Sequence, residues 1–187
     1  MNPKVLLADE PISMLDVSVR LGVLNLLRGL CDNEKLAVLY ITHDIASARY
    51  IADETIVMYA GQVVERAPAG ALYAAPRHPY TLGLLNSSPP LHGERVELEG
   101  IPGSPPDLTD MAKGCSFHPR CPYAMEKCAS TAPPLRPIDE TGRVVACWLH
   151  AGDENVRVPG PLRRFAPPAA APRRPGSSPD ISSGEAT

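Results

Sequence analysis

The chain has 187 residues, of which 44% are hydrophobic and 21% charged, and a net charge of −3. That is enough for one ordinary domain with a small appendage, and the slight acidity excludes a general nucleic-acid binder, whose surface would be basic. No run of about 18 apolar residues occurs and no secretory leader is evident, so a cytosolic protein without a membrane span is expected.

The opening third alternates strand and helix patterns. Residues 5–8 (Val-Leu-Leu-Ala) are a continuous apolar run, as in a strand buried on both faces. Asp16 can N-cap a helix running to about Asn33, with Val17, Leu21, Leu24, Leu27 and Leu30 at helical spacing. Residues 36–41 form a second apolar strand and 44–52 a short helix. Residues 55–59 and 63–65 read as two more strands around a Gly61-Gln62 turn. Strand, helix, strand, helix, strand predicts a βαβ unit and a largely parallel sheet in an α/β fold. Residues 68–88 are helical again, interrupted by Pro76 and Pro79.

Residues 89–150 are rich in proline, turn formers and cysteine, and poor in apolar runs. Such a segment cannot build much core and calls for a staple. Residues 151–187 have almost no apolar periodicity and are expected to be a disordered tail. The expected organisation is 1–88, 89–150 and 151–187.

The chemistry begins where the first strand ends in two carboxylates, Asp9 and Glu10. Ligands of open α/β sheets bind at the carboxyl ends of the strands. A buried strand feeding Asp-Glu into that edge is the Walker B arrangement. Asp9 would hold Mg2+ through its water shell, and Glu10 would polarise an attacking water. Two solvated acids at a strand end are the plainer alternative.

Pro11-Ile12-Ser13-Met14-Leu15-Asp16 follows at once, and the second strand closes in Thr42-His43-Asp44. This order resembles the second half of an ABC-transporter nucleotide-binding domain, a P-loop NTPase. The resemblance implies that Ser13 to Asp16 is the D-loop facing a partner domain, and that His43 is the switch histidine contacting the γ-phosphate. Ile12 and Met14 depart from the family's usual small residues, which puts the packing of the dimer seam in question. Met58-Tyr59-Ala60-Gly61-Gln62-Val63-Val64-Glu65 and Arg77-His78-Pro79-Tyr80-Thr81-x-x-Leu84-Leu85 narrow the resemblance to the ATP-binding subunits of oligopeptide and dipeptide importers. Pro79 can start a helix whose Tyr80, Leu84 and Leu85 pack onto the domain.

The sequence contains no Gly-x-x-x-x-Gly-Lys-Ser/Thr: its lysines stand at 4, 35, 113 and 127, and none follows a glycine. The Leu-Ser-Gly-Gly signature is absent too. The chain therefore resembles the C-terminal part of such a subunit, cut just before Walker B. Positioned phosphates account for most phosphoryl-transfer catalysis, so no ATP turnover is expected from it alone.

Of five cysteines, Cys115, Cys121, Cys128 and Cys147 form C-x5-C-x6-C-x18-C. In a reducing compartment such a group points to metal before disulfide. Zinc usually arrives in paired C-x2-4-C knuckles, which are missing, and longer loops suit a larger cluster. Zinc and packed reduced thiols remain alternatives, with His118 and His150 as substitute ligands. Cys31 is expected to be a small core residue. The resemblance implies a [4Fe-4S] cluster in the extension. It further implies ATP with Mg2+, permease subunits and a second ATP-binding subunit as partners, and a place on the inner face of the cell membrane. The competing readings are a nonhydrolytic iron–sulfur or metal-binding accessory protein and a nonfunctional fragment.

Overall fold

The computed structural model describes residues 3–87, 101–109 and 113–151. The expected tail, apart from Ala151, lies outside the described residues, as do residues 88–100 and 110–112 of the stretch before it.

The first unit is strand, helix, strand, helix. Strand β1 (Val5–Asp9) pairs in parallel with β2 (Ala37–Ile41) across helix α1 (Val17–Glu34), and helix α2 (Ile45–Ile51) follows. Asp16 occupies the N-cap of α1 with an extended backbone, but its carboxylate makes no capping bond. Asp44 does cap α2, accepting from the Ala46 N–H at 3.0 Å. Ile12, Leu24, Leu27 and Ile51 form the core of this unit. Only the middle of α1 is buried: Val17 and Leu21, expected on the inner face, are 81% and 52% exposed. Cys31 is only partly buried and lies outside that core.

Neither strand is buried on both faces. Leu6, Ala8, Val38 and Tyr40 alternate with Val5, Leu7, Leu39 and Ile41, and the second set is exposed, at 64%, 64%, 53% and 44%. Nothing among the described residues covers that face.

The third strand departs from the expected parallel sheet. Strand β3 (Glu54–Tyr59) turns directly into β4 (Gln62–Pro68), and the two pair antiparallel in a separate sheet. The turn explains this. Ala60 and Gly61 both have positive φ, 49° and 75°, which gives the twist that closes a two-residue hairpin. Helix α3 (Ala69–Ala74) and helix α4 (Pro79–Asn86) follow, with Pro79 in the first turn of α4 as expected.

The cysteine-rich segment does not stand apart. After a short helix α5 (Glu126–Ser130), strand β5 (Arg136–Pro137) pairs with β6 (Val144–Val145). Strand β6 then pairs with β4, through Glu65 opposite Val145 and Arg66 opposite Val144. Phe117 packs in one core with Val57, Tyr59, Val64 and Leu72. Its ring meets Tyr59 edge-on, with centroids 5.2 Å apart.

Candidate functional site

Two constellations emerge, one at the end of the parallel strands and one around the cysteines. At the first, the Glu10 N–H donates to the Ile41 carbonyl at 2.9 Å, carrying the parallel pairing one residue past β1. Glu10 then takes a left-handed backbone, φ 46°, which costs a non-glycine residue about 1 kcal/mol or more. That backbone accompanies a direct meeting with the end of β2. Glu10 Oε1 accepts from the His43 N–H at 2.9 Å and lies 2.7 Å from His43 Nδ1. With Glu10 ionised, Nδ1 carries the proton it shares with the carboxylate. The His43 side chain is 82% exposed, so the far edge of its ring is open to a ligand.

The local scaffold is tight. The Thr42 hydroxyl accepts from the Asp44 N–H at 3.0 Å, and the buried Ser47 hydroxyl donates to the Asp44 carbonyl at 2.8 Å. Tyr40 OH donates in turn to Ser47 Oγ at 3.1 Å. These bonds fix the β2–α2 corner that carries His43. Asp9 sits beside Glu10, exposed, with no protein partner for its carboxylate among the described residues. An oxygen donor in that state fits a hydrated divalent cation.

Ser13 stays exposed and closes a local turn: its hydroxyl and its N–H both donate to the Glu10 carbonyl, at 2.9 and 3.2 Å. The Asp16 carbonyl accepts from the Val19 and Arg20 N–H groups, and Arg20 Nε holds the Leu15 carbonyl at 2.8 Å. The two departures from the family pattern part company here. Ile12 is 3% exposed, packed into its own unit's core, and Met14 is 96% exposed at the tip of the loop.

The second constellation gathers Cys115, Cys121, Cys128 and Cys147 around one cavity of about 10 Å³, room for a single water. Phe117, Trp148 and Leu149 contribute apolar wall. Burial pushes the Cys121 thiol up to about 11 and the Cys147 thiol up to about 12, and raises Cys115 as well. Backbone N–H groups work the other way. Phe117 and His118 approach Cys115, Tyr123 approaches Cys121, and Leu149 approaches Cys147. N–H groups aimed at sulfur favour a thiolate, whereas burial without a cation opposes it.

Neither the expected [4Fe-4S] cluster nor the zinc alternative finds a preformed set of ligands in this geometry. Among the described residues no three His, Cys, Asp or Glu side chains are gathered to hold one metal ion. His150 is not a substitute ligand: its Nε2 lies 2.8 Å from the Arg77 carbonyl, away from the cavity. His118 does line the cavity, and its buried Nδ1 has no partner.

Three residues that frame this site were given no role in it by the sequence reading, although Glu65 stood in the expected fourth strand. Glu65, fully buried, accepts the N–H groups of Arg77 and His78 at 2.9 and 2.8 Å. Arg143 is 5% exposed and donates to the Ala75 and Ala71 carbonyls at 2.7 and 2.9 Å, closing the C-terminal end of α3. Gly114 runs so close to the Cys128–Ala129 backbone that a Cβ would meet the Ala129 carbonyl at 2.6 Å. Strand or loop periodicity says nothing of what one charged residue or glycine touches, so none of the three could be assigned to the site.

Comparison with known proteins identifies the family. Residues 64–128 match the family described as oligopeptide/dipeptide transporter, C-terminal region. The oligopeptide transport ATP-binding protein AppD of Bacillus subtilis is 46% identical over 149 residues, covering 80% of this chain and 45% of that protein. The chain belongs to the ATP-binding proteins of oligopeptide/dipeptide ABC transporters, and corresponds to their C-terminal part. The di/tripeptide transport ATP-binding protein DppF of Pseudomonas aeruginosa is 45% identical over 148 residues, 79% of this chain and 45% of that protein. The dipeptide transport ATP-binding protein DppD of Escherichia coli is 41% identical over 154 residues, 76% of this chain and 47% of that protein. The chain thus spans about half the length of the curated relatives it matches.

Proposed function

We propose that this chain supplies the hydrolytic edge of the ATP-binding subunit of an ABC importer for oligopeptides or dipeptides. The observation that carries the reading is the meeting of Glu10 and His43: one carboxylate oxygen receives both the backbone N–H and Nδ1 of His43. Glu10 is placed to orient and polarise a water, and the open edge of His43 to face a terminal phosphate oxygen. Asp9 holds the magnesium ion through its hydration shell. The phosphate-cradling loop and signature motif come from polypeptide that this sequence does not contain. The exposed face of β1 and β2 supports that division, because a parallel sheet is stable when covered on both sides. The loop from Ser13 to Asp16, with Met14 at its tip, faces a second ATP-binding subunit. The permease subunits anchor the assembly on the inner face of the cell membrane.

The extension is proposed to bind a [4Fe-4S] cluster through Cys115, Cys121, Cys128 and Cys147. The support is the donor set, thiols around one cavity with backbone N–H groups near three of the sulfurs; the cavity of about 10 Å³ is smaller than such a cluster, so the four loops would have to open to admit it. Such a cluster, when bound, supplies a redox-capable link between distant points of the chain. Anaerobic purification should then give a brown protein with about four irons per chain.

The test of the catalytic assignment joins the chain to the N-terminal half of a relative. The chain alone should show no ATP turnover above buffer. In the joined protein Glu10→Gln should retain ATP without hydrolysing it. His43→Ala should slow turnover on the order of 10²-fold or more. Parental turnover by Glu10→Gln would reject the assignment.

A further inference from the structure

The cysteine cavity holds about 10 Å³, so a metal centre larger than a single ion must displace a wall to reach the sulfurs. Its inner side is firmly held. His78 and Phe117, which line it, are each 2% exposed. The Cys115 N–H donates to the Cys128 carbonyl at 2.8 Å, and Gly114 abuts the same stretch of main chain. Cys147 follows β6, whose pairing with β4 is carried on by the Ala146 N–H donating to the Val64 carbonyl at 2.9 Å.

Trp148, which also lines the cavity, is held in two unlike ways. Its main chain is fixed on both sides, by Ala146 before it and by Leu149, 9% exposed, after it. Its half-buried ring reaches across to α5 and is gripped there by side-chain contacts. Nε1 donates to the Thr131 carbonyl at 2.9 Å, and Lys127 Nζ stands over the ring, 3.7 Å from its centroid. Both grips come from one turn, since the Thr131 N–H donates to the Lys127 carbonyl at 3.0 Å, and that turn carries Cys128 as well. Lys127 and Thr131 are exposed, so water can take the place of either contact.

We propose that the Trp148 ring is the lid of the four-cysteine cavity, latched onto α5 by Lys127 and Thr131, and that its release is the passage by which a thiol-binding metal centre enters and leaves. The proposal rests on the metal-binding reading for what passes, and on the chain alone for the lid. One exposed hydrogen bond or cation–π contact shifts an opening equilibrium by about fivefold. Unseating Phe117 or parting β6 from β4 means breaking core packing or a strand pairing, so the lid opens first.

The experiment follows the alkylation of each thiol by N-ethylmaleimide in the full chain after treatment with a chelator, with cysteines resolved by mass spectrometry. Lys127→Gln removes the cation; Trp148→Phe removes the indole donor and keeps a ring. Each should speed the labelling of Cys115 and Cys128 about fivefold, with Cys31, outside the site, unchanged. Lys127→Arg keeps the cation and should match the parent. Trp148 is the chain's one tryptophan, so its emission reports the lid directly: acrylamide quenching should rise in Lys127→Gln and not in Lys127→Arg. Opening a lid exposes little surface, so the acceleration should depend only weakly on low concentrations of urea. Unchanged rates in both Lys127→Gln and Trp148→Phe would overturn the lid, as would an acceleration shared by Cys31, which signals easier unfolding of the whole chain. Iron content of the anaerobically purified parent reports separately on the metal reading. A metal-free parent whose thiols are released by Lys127→Gln would reject the metal and keep the lid. An iron-loaded parent whose thiols, once stripped, ignore both substitutions would keep the metal and reject the lid.

Discussion

Glu10 and His78 show how differently two ionisable side chains serve the same fold. Glu10 sits at a sheet edge in a left-handed backbone, a local cost accepted where chemistry is proposed. His78 is deep in the protein and committed on every side. Its unfolded pKa is near 6.5; burial first, and then the neighbouring His150, lower it to about 4 in the fold. The other charged group at hand, Glu65, faces the backbone N–H of His78 rather than its ring. Between those values the unfolded chain binds the extra proton. Stability is therefore fully present above about pH 6.5 and lost as pH falls toward 4, by on the order of 3 kcal/mol. Urea midpoints measured at pH 7 and pH 4.5 should differ strongly for the parent chain and less for His78→Asn. An equal drop in both would assign the acid sensitivity to other groups.

Among the elements, the strands and helices up to α4 were legible in the sequence, because apolar period and capping residues write them directly. The Asp-Glu strand end and the Thr-His-Asp corner were legible too, since motif order carries them. The pairing of β3 was not. The Gly61-Gln62 turn was seen, but a period cannot say whether a strand joins its predecessor or folds back on its successor. The two-residue strands of the extension were also invisible, being shorter than any pattern. Glycines make the same point. Gly22 lies on α1 with nothing within 4 Å of an added Cβ, whereas Gly114 abuts backbone. Gly22→Ala should raise stability by about 0.5–1 kcal/mol through helix propensity. Gly114→Ala should lower it by about 2 kcal/mol or more, because the obstructing atoms are main chain and cannot swing away. Thermal denaturation of both variants checks the pair, and a neutral Gly114→Ala would mean that the loop around Cys115 is slack.

For the molecule as a whole, the open side of β1 and β2 is the dominant liability. Val5, Leu7, Leu39 and Ile41 present a continuous apolar strip, the kind of surface that seeks another chain. The isolated protein should self-associate as its concentration rises. Leu7 and Leu39 are partners in the parallel register, so Leu7→Lys combined with Leu39→Glu places opposite charges side by side on that strip. Light scattering should report less association for the double variant, with helical circular dichroism unchanged. Equal association would direct attention to another surface, such as Ile56 and Met58 on β3, which are 50% and 56% exposed.

The pairing of β4 with β6 also imposes an order in time. A ribosome delivers β4 long before Val144 and Val145, and closing so long a loop is slow compared with forming the β3–β4 hairpin. While translation continues, β4 has a bare edge and three cysteines wait without their fourth. A stall or premature stop in that interval would release a chain with an unpaired strand and loose thiols together, two features that favour aggregation and oxidative cross-linking. Synthesis of residues 144–147 thus decides whether the nascent strand edge and thiols are closed off or left hazardous.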